Sequence, residues 1–172
     1  MVVQLYDYQE QALDHLRDGC VLCGKVGSGK SLTGLFYYLR NHSDKPLYII
    51  TVAKKRDDKE WQHDFEKLGI SGTVDSWNNI KKYKDVKDAF FIFDEQRAVG
   101  YGTWGRSLID ISRRNKWIML SATPGDTWID YMVLFIANGF YRNKSHFIDE
   151  HVEYKPYTSF PQIKRYHKVD RL

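Results

Sequence analysis

Apolar and polar positions alternate along this chain in two distinct rhythms. Short, almost wholly apolar runs, "CVLCG" (20–24), "PLYIIT" (46–51), "AFFIFDE" (89–95) and "KWIMLSA" (116–122), have the length and β-branched or aromatic content of buried strands. Longer stretches with apolar residues every three or four positions separate them. "DYQEQALDHLRDG" (7–19) predicts a helix with Asp7 as N-cap, Glu10 at capping-box spacing and Gly19 as its stop. "KSLTGLFYYLRNH" (30–42) and "KRDDKEWQHDFEKLG" (55–69, ending at Gly69) predict two more, and "TWGRSLIDISRRN" (103–115) a fourth. "DTWIDYMVLFIANGF" (126–140) predicts a helix capped by Asp126 and stopped at Gly139, while "GTVDSW" (72–77) reads as a short strand entering a brief helix.

Buried strands alternating with amphipathic helices predict an α/β fold, a three-layer domain with a mostly parallel central sheet flanked by helices. From about His151 onward, aromatic and basic residues with Pro156 and Pro161 predict irregular or extended structure. No internal repeat or low-complexity tract interrupts the pattern.

Composition narrows the class. At 172 residues, with 42% hydrophobic and 15% aromatic residues, the chain can bury one substantial core. No apolar run is long enough to span a bilayer, and the start lacks a signal-peptide pattern, so a cytoplasmic protein is expected. The net charge of +4 is compatible with nucleic acid but equally with an ordinary solvated surface. Cys20 and Cys23 form a C-x-x-C on a predicted strand, where positions three apart face opposite ways. With no second pair to complete a zinc site, two buried structural thiols are expected. The histidines show no helical metal-binding pair.

Candidate chemistry enters at "GKVGSGKS" (24–31). Gly24, Gly29, Lys30 and Ser31 satisfy G-x-x-x-x-G-K-[ST] between a predicted strand and a helix, the context that phosphate binding requires. Backbone N–H groups along Gly24, Val26, Gly27, Ser28 and Gly29 would face phosphates, aided by the following helix N-terminus. Lys30 would neutralise the β/γ oxygens and the Ser31 hydroxyl would bind Mg2+. A chance match in a chain this long is on the order of 1%, so a nucleotide with Mg2+ is expected here. "FFIFDEQR" (90–97) ends a buried strand in Asp94 and Glu95, adjacent carboxylates at the edge where α/β ligands bind. Asp94 suits the Mg2+ shell, partly through water, and Glu95 suits the orientation of an attacking water. "SATP" (121–124) after the next strand is by itself only a strand exit and turn.

The order GKVGSGKS, DEQR, SAT resembles motifs I, II and III of superfamily 2 helicases and translocases, and the resemblance covers nearly the whole chain as an N-terminal RecA-like lobe. The "L-x-x-YQ" start and Trp61 look most like the Swi/Snf-like branch, particularly small phage-encoded members. The resemblance implies that Gln9 reads the adenine edge, with Tyr6 or Tyr8 either stacked on the base or part of the core. It implies that Gln96, Arg97, Ser121 and Thr123 couple the ATP site to movement, although Arg97 stands where many relatives have His or Asp. It places Lys54, Lys55 and Arg56 (motif Ia) with Ser76 and Trp77 (motif Ib) on a nucleic-acid backbone, with Trp77 alternatively a core residue. The basic clusters "KKYKDVK" (81–87) and "RRNK" (113–116) are expected to be solvated faces.

On this resemblance, residues 1–150 form the ATP-binding lobe and 151–172 an extension toward a second RecA-like lobe. That lobe would carry the arginine fingers, so this one is expected to bind ATP and hydrolyse it weakly. The expected partner besides that lobe is DNA, and a monomer is expected. Two other classes fit the loop alone: a P-loop small-molecule kinase, and a non-catalytic nucleotide-responsive binding module.

Overall fold

The computed structural model describes residues 3–95, 100–123 and 125–172. Among them, five strands form one parallel sheet: β1 (Val21–Cys23), β2 (Leu47–Thr51), β3 (Thr73–Ser76), β4 (Phe90–Asp94) and β5 (Lys116–Ser121), in the order β1-β5-β4-β2-β3. Because every pairing is parallel, all C-terminal strand ends lie on one edge, where α/β folds bind ligands.

The continuous apolar character of β4 has a direct consequence. Phe90, Phe91, Ile92 and Phe93 are all fully buried, and alternation sends them to two separate cores. Phe91 and Phe93 join Trp77, Leu108, Trp117, Met119 and Met132, beneath α5 (Thr103–Ser112), α6 (Met132–Ala137) and α7 (Lys144–His151). Phe90 and Ile92 join Leu13, Leu35, Trp61, Phe65, Ile118 and Leu120, beneath α1 (Asp7–His15), α2 (Lys30–Asn41) and α4 (Glu60–Leu68). Each buried side chain of this size stabilises the fold by about 1.5–3 kcal/mol relative to exposure. The three-layer α/β expectation is therefore met.

Several boundaries differ from the sequence reading. The first helix is capped by Tyr6 and not by Asp7, because the Gln9 side chain accepts the Tyr6 N–H at 2.9 Å. It ends at His15, short of Gly19. The predicted helix over 55–69 is two: α3 (Ala53–Asp57) and α4, separated where Lys59 takes a left-handed φ of 55°. Thr127 replaces Asp126 as cap of the 126–140 segment, since the Asp130 carboxylate accepts both the Thr127 N–H and its hydroxyl. The helix α7 was not foreseen. The predicted extended structure after His151 is an antiparallel pair, β6 (Val152–Tyr154) with β7 (Ile163–Tyr166). Cys20 is half-buried and Cys23 exposed, contrary to the expectation of two buried thiols, because β1 is a short edge strand. Among the described residues, no helix is long and apolar enough to cross a membrane.

Candidate nucleotide site

The loop 24–29 leaves β1 and runs directly into α2, so the phosphate-loop motif sits at the C-terminal sheet edge. Gly27 and Gly29 both adopt left-handed backbone, at φ 80° and 74°. A side chain at Gly29 would be strained by that angle, and its Cβ would lie 2.2 Å from Gln9 Nε2. The positive φ favours glycine there. The Lys30 ammonium curls back over the loop and donates to the Gly24 carbonyl at 2.7 Å and the Lys25 carbonyl at 2.9 Å. Backbone bonds tie the loop to β5, where Gly24 N–H donates to the Ser121 carbonyl at 3.1 Å.

Asp94 ends β4 and points into the same edge. Its Oδ2 accepts from the Thr51 hydroxyl at 2.8 Å and from the Lys55 ammonium at 2.9 Å. Its main-chain carbonyl accepts from Trp77 Nε1 at 2.9 Å. The next residue, Glu95, sits at φ 83°, a left-handed conformation that non-glycine residues rarely adopt, and its N–H donates to the Leu120 carbonyl at 2.9 Å. The chain thus leaves β4 through a strained turn that holds two adjacent carboxylates at the sheet edge, a placement typical of functional sites.

These elements enclose a cleft of about 510 Å3. Its lining includes Val26, Gly27, Gly29, Lys30 and Ser31 from the loop and first helical turn, and Asp94, Glu95 and Ala122 from the ends of β4 and β5. Lys55, Glu60 and Asp64 close the remaining side. Four carboxylates, Glu60, Asp64, Asp94 and Glu95, thus face two ammonium groups, Lys30 and Lys55. A triphosphate entering such a lining requires a multivalent cation to offset like charge.

Gln9 is buried, at 3% exposure, behind the loop. Its Oε1 takes the Tyr6 N–H and its Nε2 donates to the Ser28 carbonyl at 3.3 Å. The rings of Tyr6 and Tyr8 are exposed and stack on each other, 5.7 Å apart and 8° from parallel, so neither belongs to the core. Ser121 is buried and its Oγ accepts the Thr123 N–H at 3.2 Å, which shapes the exit from β5; the Thr123 residue itself is exposed. Gln96 and Arg97 lie outside the described residues.

The expected nucleic-acid track is rearranged. Lys55 faces the cleft beside the 24–31 loop and pairs with Asp94. Arg56 bridges inward, its guanidinium 3.5 Å from Asp75 Oδ1 and 3.3 Å from Ser76 Oγ. Ser76 and Trp77 are 2% and 1% exposed, so their side chains pack inside and present nothing to an external backbone. Of the five residues assigned to the track, only Lys54 is plainly exposed. Asp75 organises this corner. Burial pushes its carboxyl up, but hydrogen bonds from Asn79, Tyr83, the Ser76 N–H and Arg56 outweigh that and hold it below the usual carboxylate range.

The sequence reading missed Thr51, Glu60 and Asp64. A hydroxyl at the C-terminal end of a buried strand beside an acidic strand end was a usable signal for Thr51. Glu60 and Asp64 share a helix face at i, i+4 spacing, but only the chain reversal at Lys59 turns that face toward the loop.

No protein-family model matches the sequence, and no curated protein matches it. Among solved structures, the helicase domain of Hef from Pyrococcus furiosus superposes with a TM-score of 0.60 at 16% identity, covering 86% of this chain and 41% of that one. The likeness is one of fold, a RecA-like parallel sheet flanked by helices, and this chain spans less than half of the matched structure.

Proposed function

We propose that residues 1–150 are the ATP-binding lobe of a superfamily 2 nucleic-acid motor, and that residues 151–172 lead toward a second RecA-like lobe. The observation that supports this most is the convergence of the 24–31 loop, Asp94–Glu95 and the β5 exit around one cleft. The Swi/Snf-like branch and a phage origin stay part of this proposal, on the sequence resemblance alone.

In this reading Lys30 exchanges its loop carbonyls for phosphate oxygens, while the loop N–H groups and the N-terminus of α2 face the remaining phosphate charge. Ser31 and Asp94 hold Mg2+, partly through water, and the acidic lining fits that need. Bound Mg2+ supplies charge neutralisation and polarisation of the phosphate oxygens. Glu95 accepts a proton from, and orients, the attacking water. Gln9 reads adenine by turning its amide from the loop to the base edge. Ser121 and Thr123 with Gln96 and Arg97 relay the state of the site to the second lobe. An arginine finger from that lobe contributes about a thousandfold or more, so the lobe alone turns over slowly. Exposed Lys54 would meet the DNA backbone, with Arg56 behind it.

The test is the fate of the γ-phosphate of labelled ATP, followed with and without DNA and with a nucleoside monophosphate present. Slow release of inorganic phosphate fits the motor. Label on the monophosphate would replace it with a kinase, and binding without any turnover, even beside a supplied second lobe, would leave a nucleotide-responsive module.

A further inference from the structure

A second cleft, of about 460 Å3, shares no lining residue with the nucleotide cleft and draws Lys81, Lys84 and Arg113 from the two basic clusters that the sequence left as solvated faces. Helical spacing builds it. On α5 and the turn after it, Arg106, Asp110 and Arg113 recur at i, i+4 and i+7 and so form one stripe. Facing them, Lys81 and Lys84 stand three apart on the tight helical turn after Trp77, the spacing that eclipses side chains in a 3-10 helix. Arg142 closes the far end, and the buried Ile109 and Ile136 contribute to its walls.

The charge balance is one-sided. Five cationic side chains line this cleft against a single carboxylate, whereas the whole chain has a net charge of only +4. Asp110 lies 3.1 Å from Lys84 and 4.0 Å from Arg113, so it fixes two of the five in place. Lys81, Arg106 and Arg142 are exposed, and among the described residues no carboxylate lies within ion-pairing distance of them. The excess positive charge of the molecule is therefore concentrated in one concave site of ligand-binding size, which falls within the usual range of about 300–1,000 Å3.

We propose that this cleft binds the phosphate backbone of nucleic acid, at a site separate from the nucleotide cleft. Guanidinium forks suit non-bridging phosphate oxygens, and the two lysines add point charge without reading sequence. The site also accounts for the buried track residues. Ser76 and Trp77 pack inside, while the chain that follows them carries Lys81 and Lys84 to the surface a few residues later. The choice of nucleic acid as the polyanion rests on the motor reading; the cationic cleft itself does not.

The test compares the chain with a Lys81→Ala, Arg106→Ala, Arg142→Ala triple variant and with a charge-matched control, Lys67→Ala, Lys116→Ala, Lys164→Ala. Binding of a labelled DNA single strand, the same sequence as duplex, and polyglutamate is measured across a salt series, with Mg–ATP binding followed in parallel. The cleft variant should lose at least tenfold in DNA affinity, and its salt slope should flatten by about 1 for each cation that meets a phosphate. The control should keep the slope, and both should bind ATP normally. Stronger loss on single strand or on duplex identifies which form the cleft takes. Equal salt slopes for the cleft variant and the parent would overturn the proposal, as would a loss confined to polyglutamate, which would make the partner an acidic protein. A chain that binds no ATP would sink the motor reading instead, and the DNA series would still decide the cleft.

Discussion

The Lys55 ammonium lies 2.9 Å from Asp94 Oδ2, the same oxygen that accepts the Thr51 hydroxyl at 2.8 Å. The Asp94 side chain is 5% exposed and that of Lys55 33%. This pair joins the segment expected to touch nucleic acid to the carboxylate expected to hold Mg2+.

Removing Lys55 leaves a buried carboxylate with, among the described residues, the Thr51 hydroxyl as its remaining side-chain donor. Lys55→Met should therefore lower stability by about 1–2 kcal/mol, less than for a fully buried pair because the lysine is partly solvated. Combining it with Asp94→Asn should restore part of the loss. Urea unfolding of the two single variants and the double variant checks this, and strictly additive effects would show that the pair does not interact energetically.

Gln9 ties α1 to the phosphate loop through both ends of one amide. Gln9→Glu keeps the oxygen that accepts the Tyr6 N–H but loses the donor and sets a carboxylate against the Ser28 carbonyl. Nucleotide affinity should fall at least tenfold while helix content by circular dichroism stays unchanged. Parent-like nucleotide affinity in this variant would separate Gln9 from the site.

Trp77 supports Asp94 from behind by donating its indole N–H to the Asp94 carbonyl at 2.9 Å. Trp77→Phe should cost about 1–3 kcal/mol of stability, since a buried acceptor loses its partner. The salt dependence of DNA binding should not change, because the side chain is internal. A weaker DNA affinity at unchanged stability would return Trp77 to the nucleic-acid track.

The β6–β7 hairpin is fastened by Glu153, whose carboxylate accepts from Lys164 and Arg165, each at 2.6 Å, and pairs with His167 at 3.0 Å. The Lys164 and Arg165 bonds, against a smaller opposing effect of burial and with help from His167, hold its carboxyl down at about 2. A depressed carboxylate contributes stability that is complete above its ordinary value of 4.5 and is lost as pH falls through about 2. Amide exchange across residues 152–166 should accelerate over that window. A Glu153 carboxyl titrating near 4.5 by NMR would contradict the arrangement.

Much of the fold was legible because β4 and β5 are almost wholly apolar and the 24–31 loop stands between a strand and a helix. Local periodicity carries that information. The position of Lys55 was not legible, since its neighbour Lys54 has the same side chain and only the pitch of the five-residue α3 separates them. Trp77 and Ser76 illustrate the same limit: a strand end beside a turn reads alike whether it packs inward or outward. The basic cleft joins residues from 81 to 142, a range brought together by the packing of α5 against both the turn after Trp77 and α6.

The 24–31 loop and Asp94 are proposed to bind a nucleotide together with its metal. The most direct test is titration of a fluorescent ATP analogue into the parent chain and Lys30→Ala, each with Mg2+ and with EDTA. The parent should bind saturably and at least tenfold more weakly in EDTA, where the four carboxylates outnumber the Lys30 and Lys55 ammonium groups that meet the phosphates, and Lys30→Ala should show no saturable binding. Equal binding by the two proteins, or binding indifferent to Mg2+, would contradict it.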